Sequence, residues 1–159
     1  MTRSRPTLAA LATVLALAAC ASPQPIEPEA IAASRAVSLF PNETPELRAL
    51  IEKYADHYGV PESLVHRVAI RESRHRPGAR NGPYMGLMQI HPATARGMGY
   101  RGPAEGLLDA DTNLRYAVKY LRGAWLVADG DEARAVQWYA RGYYHEAKRK
   151  GLLDETGLR

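Results

Sequence analysis

From Leu47 onward, every strong hydrophobic pattern in the chain recurs at three- and four-residue steps, the period of a helix. No convincing strand pattern is present, so the fold class is all-α. Leu47, Leu50, Ile51, Tyr54 and Tyr58 form the first stripe. Thr44 and Pro45 open it, as N-cap and first helical position, and Gly59 closes it. A second helix starts at Pro61 and is predicted to stop at Pro77 and Gly78. Asn81-Gly82-Pro83-Tyr84 reads as a turn. Pro92 opens a short helix through Ala95, and Gly97 to Gly106 reads as loop. Asp109 or Asp111 caps a long helix striped by Leu114, Ala117, Val118, Leu121 and Trp125. Asp129-Gly130-Asp131 turns the chain into a final helix. There Val136, Tyr139, Ala140 and Tyr143 share one arc, and Lys148 to Lys150 sit near the C-terminus, where the helix dipole favours cations.

The second helix carries the residue most suggestive of chemistry. At about 100° per residue, Val65, Val68, Ala69 and Glu72 fall in one arc, so a carboxylate shares the apolar face. Arg67, Arg71 and Arg74 lie elsewhere on the helix, and Ile70 points away. Low dielectric disfavours the charged form of a carboxyl, and a Glu kept protonated near neutral pH can act as a general acid. The plainer alternative is a Glu at a partly covered helix end, paired with a nearby Arg. Spacing alone leaves both open.

Residues 1–19 read as a targeting segment. Arg3 and Arg5 precede an apolar run from Leu8 to Ala19, short of the roughly 20 residues needed to span a bilayer. Leu17-Ala18-Ala19-Cys20 looks like a bacterial lipobox, which makes Cys20 the expected lipidation site. An ordinary secretory signal with an incidental cysteine is the alternative. Cys20 is the one cysteine, so no intramolecular disulfide can form. Ala21 and Ser22 follow it, and neither is the Asp that retains lipoproteins at the inner membrane. The expected location is therefore the outer membrane, facing the periplasm. Residues 20–42, with Pro23, Pro25, Pro28 and Pro41, read as a lipidated tether. The stretch Ile31 to Phe40 is apolar enough for a short helix or a docked segment. Residues 43–159 are the expected domain. Loss of Arg3 and Arg5 takes the net charge from +4 to +2, which gives no reason to expect nucleic-acid binding. A monomer is expected, with no metal and no cofactor.

Four blocks between Val60 and Tyr144 resemble the soluble-lytic-transglycosylase type of domain, similar in fold to goose-type lysozyme. They are Ala69-Ile70-Arg71-Glu72-Ser73; Gly86-Leu87-Met88-Gln89-Ile90 with Pro92 and Thr94-Ala95; Asp109, Asn113, Tyr120 and Leu121; and Tyr139-Ala140-Arg141-Gly142. The chain departs from the family pattern in three places. The approach to Gly86 is one residue shorter, Ala110 replaces a proline, and Ala140 replaces an asparagine. The resemblance implies a lysozyme-like helical domain acting on peptidoglycan glycan strands. Glu72 would be the catalytic acid and then base, cutting the β-1,4 bond between N-acetylmuramic acid and N-acetylglucosamine with formation of a 1,6-anhydro product. Ser73 and Tyr139 would orient Glu72. Gln89, with Gly86, Leu87 and Met88, would hold the sugar, and Tyr143 would also contact it. A non-catalytic peptidoglycan-binding lipoprotein, a lysozyme-type hydrolase and a purely structural envelope lipoprotein remain the alternatives.

Overall fold

The computed structural model describes residues Ser38–Arg159. The targeting segment, Cys20 and the tether as far as residue 37 lie outside the described residues. Within them the domain is helical, with one two-stranded hairpin.

Helix α1 spans Pro45–Tyr58. Thr44 caps it by accepting a hydrogen bond from Leu47 N at 3.2 Å, and Leu47, Ile51, Tyr54 and Ala55 are its buried face. Helix α2, Glu62–Ser73, follows after a short turn and buries Leu64, Val65, Val68 and Ala69. It ends four residues before Pro77, earlier than the proline and glycine suggest. Arg74 and His75 both take the left-handed conformation, with φ of 53° and 57°. For non-glycine residues this costs roughly 1–2 kcal/mol each. Tertiary contacts from the N-terminal side hold the two in place. Asn42 donates to Arg74 O at 3.0 Å, and the Phe40 ring stacks on His75 with centroids 5.1 Å apart. Phe40 to Asn42, read from sequence as the end of the tether, thus pack on the domain.

Strands β1, Arg80–Asn81, and β2, Tyr84–Met85, pair antiparallel around Gly82-Pro83. The sequence gives no sign of these strands, because two residues each cannot show an alternating pattern. Helix α3, Pro92–Gly97, is capped by His91. A 3-10 turn at Ala104–Leu108 lies partly inside the stretch expected to be loop, and it buries Leu107.

Helix α4, Ala110–Val127, is the central element. Asp109, not Asp111, caps it, accepting from Thr112 N at 2.8 Å. Its buried stripe of Leu114, Ala117, Val118, Leu121 and Ala124 packs against α1 on one side and α5, Glu132–Arg141, on the other. The expected single final helix is two. Gly142, at φ 84° and ψ 150°, takes a conformation closed to side-chain-bearing residues and breaks the run before α6, Tyr144–Lys150. The break removes Tyr143 from the arc of Val136 and Tyr139. Its ring turns into the core, and its hydroxyl donates to Tyr120 O at 2.7 Å.

Gly123, in the middle of α4, makes room for that ring. A Cβ there would lie 2.2 Å from the Tyr143 hydroxyl and 2.6 Å from the ring carbon bearing it. Gly123→Ala gains helix propensity but overpacks this contact, and overpacking costs about 1–3 kcal/mol. The variant is expected to melt several degrees below wild type in a calorimetric scan. An unchanged or higher Tm would show that the ring moves freely.

Candidate active site

The site grows out of a single buried side chain, Asn113, in the first turn of α4. Its Nδ2 donates to Met85 O at 2.9 Å and to Leu107 O at 2.7 Å, and its Oδ1 accepts from Met88 N at 2.9 Å. Two carbonyls on one side and an N–H on the other fix which way the amide points. These bonds tie the hairpin, the 3-10 turn and the Gly86–Gln89 loop to one point. Gly86 fits between them at φ 77°. A Cβ there would stand 2.2 Å from Leu107 O and 2.3 Å from Asn113 Nδ2, so no other residue type is accommodated.

The loop is held almost wholly by internal bonds. Gly86 N donates to Ala79 O, and Gly86 O accepts from Gln89 N and Gln89 Nε2. Tyr139, at the inner face of α5, donates its hydroxyl to Met88 O at 2.9 Å. Gln89 sits at φ 48° and turns its amide inward, with Nε2 also donating to Ala79 O at 3.0 Å. Its Oε1 is buried and accepts no hydrogen bond among the described residues.

Beside this loop lies an open cavity of about 190 Å³. That is below the roughly 300–1,000 Å³ of pockets that enclose a small ligand. It suits one stretch of a longer chain laid across the surface. Arg71 and Glu72 of α2, Asn81 and Tyr84 of the hairpin, Gln89 of the loop, and Tyr139 and Ala140 of α5 line it. Glu72 is the one carboxylate among these described lining residues. Its side chain is 23% exposed, and Arg71 Nε stands 3.5 Å from Oε1. Burial pushes the Glu72 carboxyl above the usual carboxylate range, and the Arg71 charge opposes this without cancelling it. Burial also drives the Tyr139 phenol far above its ordinary value, with the Glu72 charge adding to the effect. Tyr139 therefore stays a neutral donor.

The structure brings together Glu72, Gln89 and Tyr139 of the expected site residues. Four others do not offer side chains to the cavity. Ser73 is buried; its hydroxyl donates to Ala69 O and accepts from Arg76 N, finishing the helix rather than orienting Glu72. Leu87 and Met88 are fully buried core residues. Tyr143 lies behind α4, bonded to Tyr120. Tyr139 itself bonds the Met88 carbonyl and not Glu72, so it sets the loop against α5. Arg71, placed off this face by the helical wheel, reaches the cavity because Glu72 lies at the open end of the helix, where a long side chain can swing round. The pairing of Glu72 with Arg71 at a partly covered helix end was the plainer reading of the sequence, and it holds alongside the raised carboxyl.

Asn81, Tyr84 and the depth of Asn113 were missed as parts of the site. Asn81 and Tyr84 were read only as turn residues. Asn113 carried one signal, its place four residues after Asp109 in a matching block.

The match to known proteins agrees with this geometry. Residues 49–155 match the Transglycosylase SLT domain family. The chain belongs to this family. The family is one of transglycosylase domains. The chain is 39% identical over 98 residues to the peptidoglycan transglycosylase gp16 of Escherichia phage T7. That stretch covers 58% of this chain and 7% of the phage protein. No solved structure matches the chain.

Because Asn113 ties three backbone segments of the SLT domain, Asn113→Ala leaves Met88 N and Leu107 O without their partner and Met85 O with only its bond from Ile90 N. Each buried unsatisfied group costs about 1–3 kcal/mol. The variant is expected to lose about 3 kcal/mol or more, read as a lower urea midpoint, and to lose the protection of the Met88 amide in hydrogen exchange. A wild-type midpoint would contradict the central role of this side chain.

Proposed function

We propose that this domain cuts the β-1,4 bond between N-acetylmuramic acid and N-acetylglucosamine in peptidoglycan and leaves a 1,6-anhydro end. The observation that carries this reading is Glu72, a half-buried carboxyl held above its usual pKa and unaccompanied by another acid in the cavity lining. The common glycosidase scheme uses two carboxylates, one of them to activate water or to attack. With one, the route open to the site is transfer within the sugar. Glu72 gives its proton to the glycosidic oxygen as the C1–O bond breaks. The carboxylate so formed then takes the proton of the muramyl C6 hydroxyl. O6 bonds to C1, and Glu72 ends protonated again. No water is consumed.

The rest of the lining supports binding. Gln89 lines the cavity, and a turn of its amide would bring Oε1 to an acetamido N–H. Tyr84, 46% exposed, offers a ring face for a sugar. Ala140, where the family pattern has asparagine, is the feature that favours the second reading, a domain that binds glycan without cutting it. Arg141 does not replace that amide, since it stacks on Trp138 at 3.8 Å, outside the cavity lining. Asn81 of the hairpin is a second amide in the cavity lining, beside Gln89.

Lipidation at Cys20, attachment to the outer membrane on its periplasmic side, and action as a monomer belong to the same proposal. They rest on the sequence of residues 17–22 and on the nature of the substrate.

Digestion of purified peptidoglycan followed by mass analysis tests the chemistry. Anhydro-muropeptides are expected; products heavier by one water would mean hydrolysis, and no products would mean binding alone. Glu72→Gln is expected to lose at least about 10²–10⁴ in rate while still binding glycan. A variant that cuts as well as wild type would remove Glu72 from the mechanism.

Glu72 also has a pH signature. A carboxyl whose folded-state pKa is raised contributes stability that is complete below its unfolded-state pKa and is lost as pH rises through the folded value. Glu72→Gln has no such loss. The melting curves of variant and wild type are therefore expected to converge near about pH 4 and to separate, variant above wild type, by about pH 8. The opposite order at high pH would show that the Arg71 contact outweighs burial.

Cys20→Ser is expected to release the protein from the membrane fraction or leave it uncleaved. Wild type found wholly soluble would rule out the anchor.

A further inference from the structure

A second cluster of reactive side chains lies away from the Glu72 cavity, where the N-terminal segment meets α2. Glu43, His66 and His75 are all buried, and one donor atom from each lies within 4.8 Å of the others. His66 Nδ1 faces His75 Nε2 at 3.0 Å, and Glu43 Oε1 stands 3.8 Å from His66 Nδ1. Nothing in the chemistry of the glycan cavity uses these groups. We propose that they form a binding site for a divalent transition-metal ion of the zinc class.

The donor set is two imidazoles and a carboxylate, with a fourth position left for water. Imidazole nitrogen and carboxylate oxygen suit zinc, which binds them at about 2.0–2.2 Å and thus holds its ligand atoms roughly 3.3 Å apart. The His–His edge opens by about 0.3 Å to meet this, and the widest edge closes by up to about 1.5 Å, within the reach of side-chain rotation.

The outer contacts are those a metal site needs. His66 Nε2 lies 3.0 Å from Glu62 Oε1. A carboxylate on the far nitrogen places the proton there and leaves Nδ1 as a lone pair toward the ion. Glu43 Oε2 is fixed by Phe40 N at 2.8 Å and by Arg48 Nη2 at 2.7 Å, which leaves Oε1 to turn to the metal. Arg48 Nε, 2.7 Å from Oε1, is the competing partner. It gives up that bond on metal binding and keeps the one to Oε2. The cation of Arg48 is offset by the carboxylates of Glu43 and Glu62. Such an ion would join residue 43 both to the body of α2 and to the bend that terminates it.

The test uses the full chain, stripped with EDTA and titrated with zinc chloride in a calorimeter. One ion per chain is expected, and free zinc at about 100 times the Kd should shift the folding equilibrium about 100-fold, raising Tm by several degrees. His75→Gln is expected to weaken binding by about 10–100-fold or more. His145→Gln, at an exposed histidine, should leave binding unchanged. Cobalt substitution in the unaltered chain decides the case even if His75→Gln fails to fold. Strong visible bands of a low-coordinate nitrogen–oxygen site are expected. The weak spectrum of hydrated cobalt, an absence of stoichiometric binding, or equal binding by folded His75→Gln would overturn the proposal.

Discussion

Asn113 ties together three short backbone segments, the hairpin, the 3-10 turn and the Gly86–Gln89 loop. A buried amide with all its hydrogen-bonding groups near partners specifies a geometry more sharply than apolar packing, because each bond has a direction. From it the rest of the site can be traced. Leu107 O and the Asn113 amide it is drawn to leave only enough space for a glycine at position 86. The turn at Gly86 brings Gln89 back onto its own loop. Met88, pinned through its N–H, presents its carbonyl to Tyr139 and so fixes α5 against the loop. The cavity beside Glu72 is what remains between these parts.

Glu72 itself is set by a contest of two effects. Its helix supplies an apolar face and ends one residue later, so the carboxyl is neither in the core nor in water. Desolvation raises its pKa, and Arg71 pulls it back. In the proposed reaction, where Glu72 would both give and take a proton, such a balance is an advantage, since extreme stabilisation of either form would stall one half of the cycle. The abrupt end of α2 is part of this balance. A further helical turn past Ser73 would have covered the carboxyl.

The helices were legible because their signals are local and periodic. Thr44, Asp109 and Asp131 cap as expected, and the stripes of α1, α2 and α4 are the core. Glu72 was legible from its place in the stripe of α2. What failed were inferences that needed the third dimension. The helical wheel put Tyr143 beside Tyr139, and a single glycine conformation at 142 undid it. Ser73 and Tyr139 looked like partners of Glu72 by adjacency to it or by family place, yet both satisfy backbone groups nearer to hand. The hairpin was invisible because Asn113, about thirty residues away, holds it rather than any pattern of its own. Glu43, His66 and His75 showed no motif, because they meet only where the left-handed turn at Arg74 and His75 folds back on the N-terminal segment.

That turn also decides how the domain carries mechanical load. A pull on residue 38 meets the Phe40 ring wedged against His66 and His75 and the bond from Asn42 to Arg74, which pass it to the helix that bears Glu72. It also meets Glu43, which accepts from Phe40 N and pairs with Arg48 of α1. Load arriving at residue 38 is thus shared between the first two helices, and one branch of it is delivered two residues past Glu72.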